Sequence, residues 1–292
     1  MPRLISMPTT PNFVQSDFTL VRSVATTVSP FSGAYKTQEY DNVYWEAVVS
    51  LPPMRRSQAV EWQSFLLQLK GPTNYFKFAD PDALTNTGSY STAYLVSDPR
   101  INDTSETLSW NASNNTITAA TSGFFDNIIA GDFIYITGAG DDSNNGTFKI
   151  NSKTSGTAVV VDRDLVTENT TASCKVRQNV KGVEALSLEA SGSSITGTIK
   201  KGDYLQIQGA ASTTTNPVQL VQCVEDATAT TDSGNDHYSV RIEPKLRADF
   251  ADGNYAVFTN PKGLFRLTTP TVNWSGDRVS NYGFSFNCTE VV

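Results

Sequence analysis

Charge is scarce in this chain. Only 17% of its 292 residues are charged, 22 basic against 29 acidic. The resulting net charge of −7 disfavours a protein that grips nucleic acid by neutralising phosphates. Histidine occurs once, at His237. A catalytic triad or a histidine-based metal centre needs a positioned imidazole with an orienting partner. The segment Thr230-Thr231-Asp232-Ser233-Gly234-Asn235-Asp236-His237-Tyr238 reads as a turn leading into a strand, which predicts a surface loop histidine. Asp236 is adjacent, but neighbours in a strand point to opposite faces. Cysteine occurs three times, at Cys174, Cys223 and Cys288, few, odd in number and far apart, so neither a disulfide framework nor a zinc site follows. Each is expected as a buried small hydrophobe. No stretch approaches the roughly 18 apolar residues of a membrane-spanning helix. Residues Met1 to Pro8 contain no continuous apolar run of the kind a secretory signal carries. Walker loops, dinucleotide-binding glycine patterns, GxSxG and HExxH are all missing, so no cofactor, no metal and no catalytic residues are expected.

What is present favours strands. Thr (35), Ser (29) and Asn (21) dominate, and 15 Phe, 11 Tyr and 4 Trp supply large groups for packing. Residues 18–28 are rich in β-formers, and Ser29-Pro30-Phe31-Ser32-Gly33 reads as a turn. In Tyr44–Leu51, Trp45, Ala47 and Val49 share one face. After Pro52-Pro53 comes the one convincing helix, about 54–70. Ala59, Trp62, Leu66 and Leu69 form its apolar stripe with Phe65 beside them. Gly71 is placed to cap it in the left-handed region, and Pro72 prevents continuation. Tyr75-Phe76-Lys77-Phe78 is a further short strand, and 83–105 reads mostly as loop. Near the end come Tyr255-Ala256-Val257-Phe258, Phe265-Arg266-Leu267 and Tyr282–Asn287, with Phe284 and Phe286 on one face and Trp274 in a connection.

The middle of the chain contains a repeat. Gly131-Asp132-Phe133-Ile134-Tyr135-Ile136 matches Gly202-Asp203-Tyr204-Leu205-Gln206-Ile207 at an offset of 71. Two weaker matches flank it. Asn115–Thr118 pairs with Ser193–Thr196, and Val159–Leu165 with Val240–Leu246. The extra residues of the second copy are expected in 212–216 and 227–236. Each copy reads as a small antiparallel sandwich or barrel. Charge follows the same division. Residues 1–98 carry 7 basic and 8 acidic groups, 99–254 carry 12 and 19, and 255–292 carry 3 and 2. The expected architecture is therefore mainly β. A discontinuous β-sandwich frame, 1–98 and 255–292, surrounds inserted modules at 99–178 and 179–254. The frame core is expected to contain Trp45, Val49, Ala59, Trp62, Phe65, Leu66, Leu69, Phe284 and Phe286.

The start of a calcium loop in Asp141-Asp142-Ser143-Asn144-Asn145-Gly146 fails, because Ser152 stands where a bidentate Glu is needed. A tight turn is expected there instead. The sequons at Asn111 and Asn145 are ordinary at this Asn/Ser/Thr content, and Lys200-Lys201 is expected to be a solvated turn.

The helical run Ala59–Pro72 resembles the helix that follows the first strands of the distal tail protein of long-tailed bacteriophages. The closing runs Val240–Arg247, Asp252-Gly253 and Pro261–Leu267 are similar to a recurrent segment of phage minor tail and baseplate proteins. The resemblance implies a β-rich belt that forms a ring, a hexamer, between the tail tube protein and the baseplate hub protein. It further implies a channel for DNA, virion localisation after synthesis in the host cytoplasm, no membrane insertion, and peripheral modules that meet a tail fibre or a host receptor. It implies no enzymatic activity. Two alternatives belong to other classes. The repeats could bind host-surface glycans on Trp110, Tyr135 or Tyr204, or a carboxylate pair could hydrolyse cell-wall polymers, although no pair stands out.

Overall fold

A computed structural model describes residues 2–89, 93–96, 101, 105–190, 195–209, 218–230, 236–276 and 281–291. In chain order the elements begin with β1 (Gln15–Val28), β2 (Tyr35–Ser50), β3 (Met54–Arg55), the helix α1 (Arg56–Leu69) and β4 (Phe76–Phe78). Then come β5 (Ala93–Val96), β6 (Ser105–Asn111), β7 (Thr116–Ala119), β8 (Phe133–Thr137), β9 (Gly146–Ser155), β10 (Ala158–Val161) and β11 (Glu168–Arg177). They are followed by β12 (Ala185–Ala190), β13 (Thr198–Ile199), β14 (Tyr204–Gln208), β15 (Gln219–Cys223), β16 (Ala227–Thr228) and β17 (Tyr238–Glu243). The last are β18 (Tyr255–Val257), β19 (Gly263–Leu267), β20 (Trp274–Gly276) and β21 (Asn281–Glu290). The fold is mainly β with one α-helix. It divides into two compact units: residues 1–84, 214–220 and 260–292, and residues 85–213 and 221–259.

The first unit is the frame. Its sheet runs β1-β2-β21-β19-β4. Strand β21 changes partners midway. Ser285–Thr289 pair with β2, while Tyr282–Phe284 pair with β20, so Trp274 lies in a strand rather than a connection. The alternation in β2 buries Val43, Trp45, Ala47 and Val49 and leaves Val48 exposed. The stripe of α1 (Ala59, Trp62, Phe65, Leu66 and Leu69) is buried throughout, as are Phe284 and Phe286. Trp62 meets Phe286 at 6.3 Å between ring centroids, and Phe65 meets Phe76 edge-on at 5.4 Å. Such aromatic contacts add to area burial, the main stabilising term here. The helix starts two residues later than the sequence predicts, because Met54 and Arg55 pair with β21. Its left-handed cap falls on Lys70 (φ 52°), and Gly71 follows with φ 64°. A Cβ on Gly71 would lie 2.7 Å from Pro270 Cα, so glycine is required there for space as well as for φ.

The second unit holds two closed six-stranded barrels. The first closes in the order β6-β7-β10-β9-β8-β11 and the second in the order β5-β12-β17-β15-β14-β18. Numbered by chain order within each barrel, both read 1-2-5-4-3-6, so their topologies are identical. The turns at the two Gly-Asp positions match bond for bond. Gly131 N–H donates to Ile150 O and Ile150 N–H to Asp132 O. Gly202 N–H donates to Cys223 O and Cys223 N–H to Asp203 O. Strands β8 and β14 correspond, as do β10 and β17, in line with two of the three sequence matches. The third match fails. The counterpart of β7 is β12, while Ser193 and Ser194 lie outside the described residues and Ile195-Thr196 are not in a strand. The proposed extra segment 212–216, and 231–235 of the other, also lie outside the described residues.

The barrels are nested rather than consecutive. All strands of the first lie between β5 and β12 of the second. The boundaries at 98/99 and 254/255 therefore shift. Residues 93–96, read as loop within the frame, are the first strand of the second barrel, and Tyr255–Val257 are its last. Four residues carry too little pattern to announce a strand whose partners lie more than 90 and about 160 residues away.

The packing sets a contrast within one helix. Trp62→Ala removes a fully buried side chain and should cost the frame about 3–5 kcal/mol. Leu67→Ala, on the exposed face, should stay within about 0.5 kcal/mol. Guanidinium unfolding followed by frame tryptophan fluorescence checks both.

Candidate functional site

In the frame, the β1–β2 hairpin outruns its sheet. The two strands pair from Gln15↔Ser50 out to Val28↔Tyr35, but β21 pairs only with Glu46–Ser50 of β2. From Val24 to Tyr40 the hairpin pairs with no third strand among the described residues and forms a two-stranded arm. From Val24 to Tyr40 every residue except Ser29 is exposed, so neither face is covered. At the tip Gly33 N–H donates to Ser29 O at 2.9 Å, and Gly33 takes φ 67°. Phe31 is 98% exposed and Tyr35 75%, with Val24, Val28 and Tyr40 also presented to solvent. The Arg22–Glu39 ion pair, at 2.9 Å, crosses the arm near its base. Strand β1 is the edge of its sheet, and over 14 residues it carries only Asp17 and Arg22 as charges. An open edge with so little charge is a template for pairing with another chain.

The single histidine is not on the surface. His237 is 1% exposed, and its Nε2 lies 2.6 Å from Oδ1 of Asp132, itself 1% exposed. Ser239 Oγ donates to the same oxygen at 2.7 Å. The alternation of β17 explains this placement. Tyr238, Val240 and Ile242 fill the second barrel, while His237 and Ser239 face the first barrel's Asp132. That period-two pairing of His237 with Ser239 was the signal available in the sequence. Asp132 itself was visible only as half of a Gly-Asp turn. The cluster does not have the arrangement of a nucleophile and base. Histidine and serine both bond the carboxylate, and serine does not bond the imidazole.

Burial pushes the Asp132 carboxyl up, but His237, the Ile129 N–H and Ser239 outweigh it and hold the group below the usual carboxylate range. A similar contest is won at Glu168. Hydrogen bonds from Thr171, Asn144 and the N–H groups of Gly140 and Asp141 overcome desolvation and lower its pKa to about 2. Glu168 thereby organises the turn around Asp141–Asn145, which is the tight turn expected there.

The suggested glycan platform is not assembled. Trp110 is 2% exposed inside the first barrel and cannot stack on a sugar. Tyr135 and Tyr204 are half-buried, and Tyr135 packs against the core of the second barrel. All three cysteines are free and buried, and burial pushes their thiols up, away from the reactive thiolate. Among the described residues no cluster of His, Cys, Asp or Glu could hold a metal ion, and no helix is long and apolar enough to cross a membrane. Neither a protein-family model nor a curated protein sequence matches the chain.

Because the folded-state pKa of Glu168 is depressed, its contribution is full above the unfolded value, about 4.3, and is lost as pH falls through the folded value, about 2. Glu168→Gln should therefore lower stability by roughly 1–2 kcal/mol at pH 7, with the difference from the parent shrinking towards pH 2. Denaturant midpoints across this range check the prediction. A difference that grows in acid would contradict it.

Proposed function

We propose that this chain is a structural virion protein that forms a ring, six copies around, at the distal end of a bacteriophage tail. In this reading the frame is the belt, joining the tail tube to the baseplate hub and leaving a channel for DNA. The chain is not an enzyme. The observation that carries the reading is the β1–β2 arm with its open edge. A lone two-stranded ribbon is marginal in water, and one that displays Val24, Val28, Phe31, Tyr35 and Tyr40 needs a partner surface.

Charge favours another copy as that partner. The frame residues carry 10 basic and 9 acidic groups, whereas the second unit carries 12 and 20. Frame-to-frame contacts therefore meet little repulsion, and contacts through the barrels would oppose two acidic surfaces. Closure follows if the arm of each copy docks on a different patch of the next, since such heterologous contacts form rings when the rotation closes. A frame near electrical balance would also let DNA pass without the phosphate contacts that retain it. The resemblance of α1 and of the closing segment to phage tail proteins points the same way, and the barrels supply the peripheral modules.

Negative-stain micrographs of concentrated protein should show rings with a central opening. Phe31→Asp combined with Tyr35→Asp should abolish them while leaving the circular dichroism spectrum unchanged, because both positions are exposed. A parent protein that stays strictly monomeric, with no rings at any concentration, would overturn the reading.

A further inference from the structure

The two Gly-Asp carboxylates are buried at matching positions, just before the third strand of each barrel, yet they hold different things. Each uses Oδ2 for its own turn. Ile129 N–H donates to Asp132 Oδ2 at 3.0 Å and Lys200 N–H to Asp203 Oδ2 at 3.3 Å. Each offers Oδ1 to a segment that is no part of its own barrel. Asp132 Oδ1 receives His237 Nε2 and Ser239 Oγ from the second barrel. Asp203 Oδ1 receives the N–H and Oγ1 of Thr87, both at 2.8 Å, from the segment that precedes β5, and Gly88 N–H adds a 3.3 Å bond to Oδ2.

We propose that the Gly-Asp carboxylate is a latch common to both copies of the barrel, and that in the first copy it is closed on the second barrel, so that the two move as one body. The neighbouring residues fit this assignment. Phe133, next to Asp132, packs in the hydrophobic core of the second barrel, and Gln178 Nε2 donates to its carbonyl at 2.9 Å. At the surface an ionic chain crosses between the barrels. Lys149 of the first pairs with Glu225 of the second at 2.9 Å, Glu225 with Arg241 at 3.2 Å, and Arg241 faces Glu184 at 3.9 Å. That exposed chain contributes little by itself. The buried node contributes more, because removing one partner strands the other in a dry site. In the second copy the same latch pins residues 87–88 instead. The inference does not depend on ring formation.

The two latches can be opened separately in the full-length chain. Spin labels on cysteines introduced at the exposed positions Thr154 and Asp252 report the spacing of the barrels, and the buried native thiols should remain unlabelled. The sole imidazole reports on the node by NMR. Asp132→Asn should broaden the 154–252 distance distribution at least twofold and shift the His237 signal, while the amides of Thr87 and Gly88 keep their protection from hydrogen exchange. Asp203→Asn should speed exchange at those two amides at least tenfold and leave the distance distribution as it was. If Asp132→Asn does not fold, Ser239→Ala removes one donor, keeps the His237–Asp132 contact, and should broaden the distribution in the same direction by less. An unchanged distribution in the Asp132 or Ser239 variant, or equal changes in both readouts for both carboxylates, would overturn the proposal.

Discussion

Strand β21 is the member on which the frame depends. It joins β2, β19, β20 and β3, and its Phe286 meets Trp62 of the helix and Phe76 of β4. Its partners on β2 lie about 240 residues earlier in the chain. Closing so long a loop costs only slightly more than closing a shorter one, because the entropy grows with the logarithm of length. That is why two barrels can sit inside the frame sequence without preventing its closure. The aromatic core provides the compensating burial: Trp62, Phe76, Phe78 and Phe265 are completely or almost completely excluded from solvent. Glu290, at the end of the same strand, accepts from the backbone N–H groups of Trp45 and Leu220 and so ties both segments to β21.

The same strand defines where the frame stops being self-sufficient. Pairing with β21 covers β2 only over Glu46–Ser50, and from Val24 to Tyr40 the hairpin pairs with no third strand among the described residues and buries neither face. A chain that builds a dense aromatic core on one side of β2 and leaves Phe31 and Tyr35 bare on its continuation is locally inconsistent as a monomer. Such inconsistencies concentrate at functional surfaces. The proposed ring resolves this one, because a neighbouring copy would supply both the missing strand and the missing cover. The barrels need no such partner, since closure leaves them no open edge.

Much of this was legible in the sequence, and the failures have physical causes. The stripe of α1 and the alternation of β2 were readable because one face of each is buried, and the burial writes its period into the residues. The Gly-Asp repeat was readable because the turn demands glycine at positive φ, seen at Gly131 (98°) and Gly202 (93°). Strand β5 was not, because four residues cannot display a period. The nesting of the barrels could not be inferred without it. His237 was misplaced because a polar residue on the outer face of a barrel strand normally meets water. Here that face meets the first barrel, whose Asp132 carboxylate supplies the partner. For Trp110, a platform only in the alternative reading, the closed barrel decides the question. Its alternation is equally compatible with an outward platform or an inward core position, and the closed barrel takes it in.

Hydrogen exchange along β1, measured from dilute to concentrated protein, reports directly on whether its free edge acquires a partner. The outward-facing amides between Val24 and Val28 should exchange rapidly in dilute samples and become protected as concentration rises. The barrel amides should stay the same throughout. Rapid exchange of β1 at every concentration, with the barrels equally unchanged, would contradict assembly through the arm.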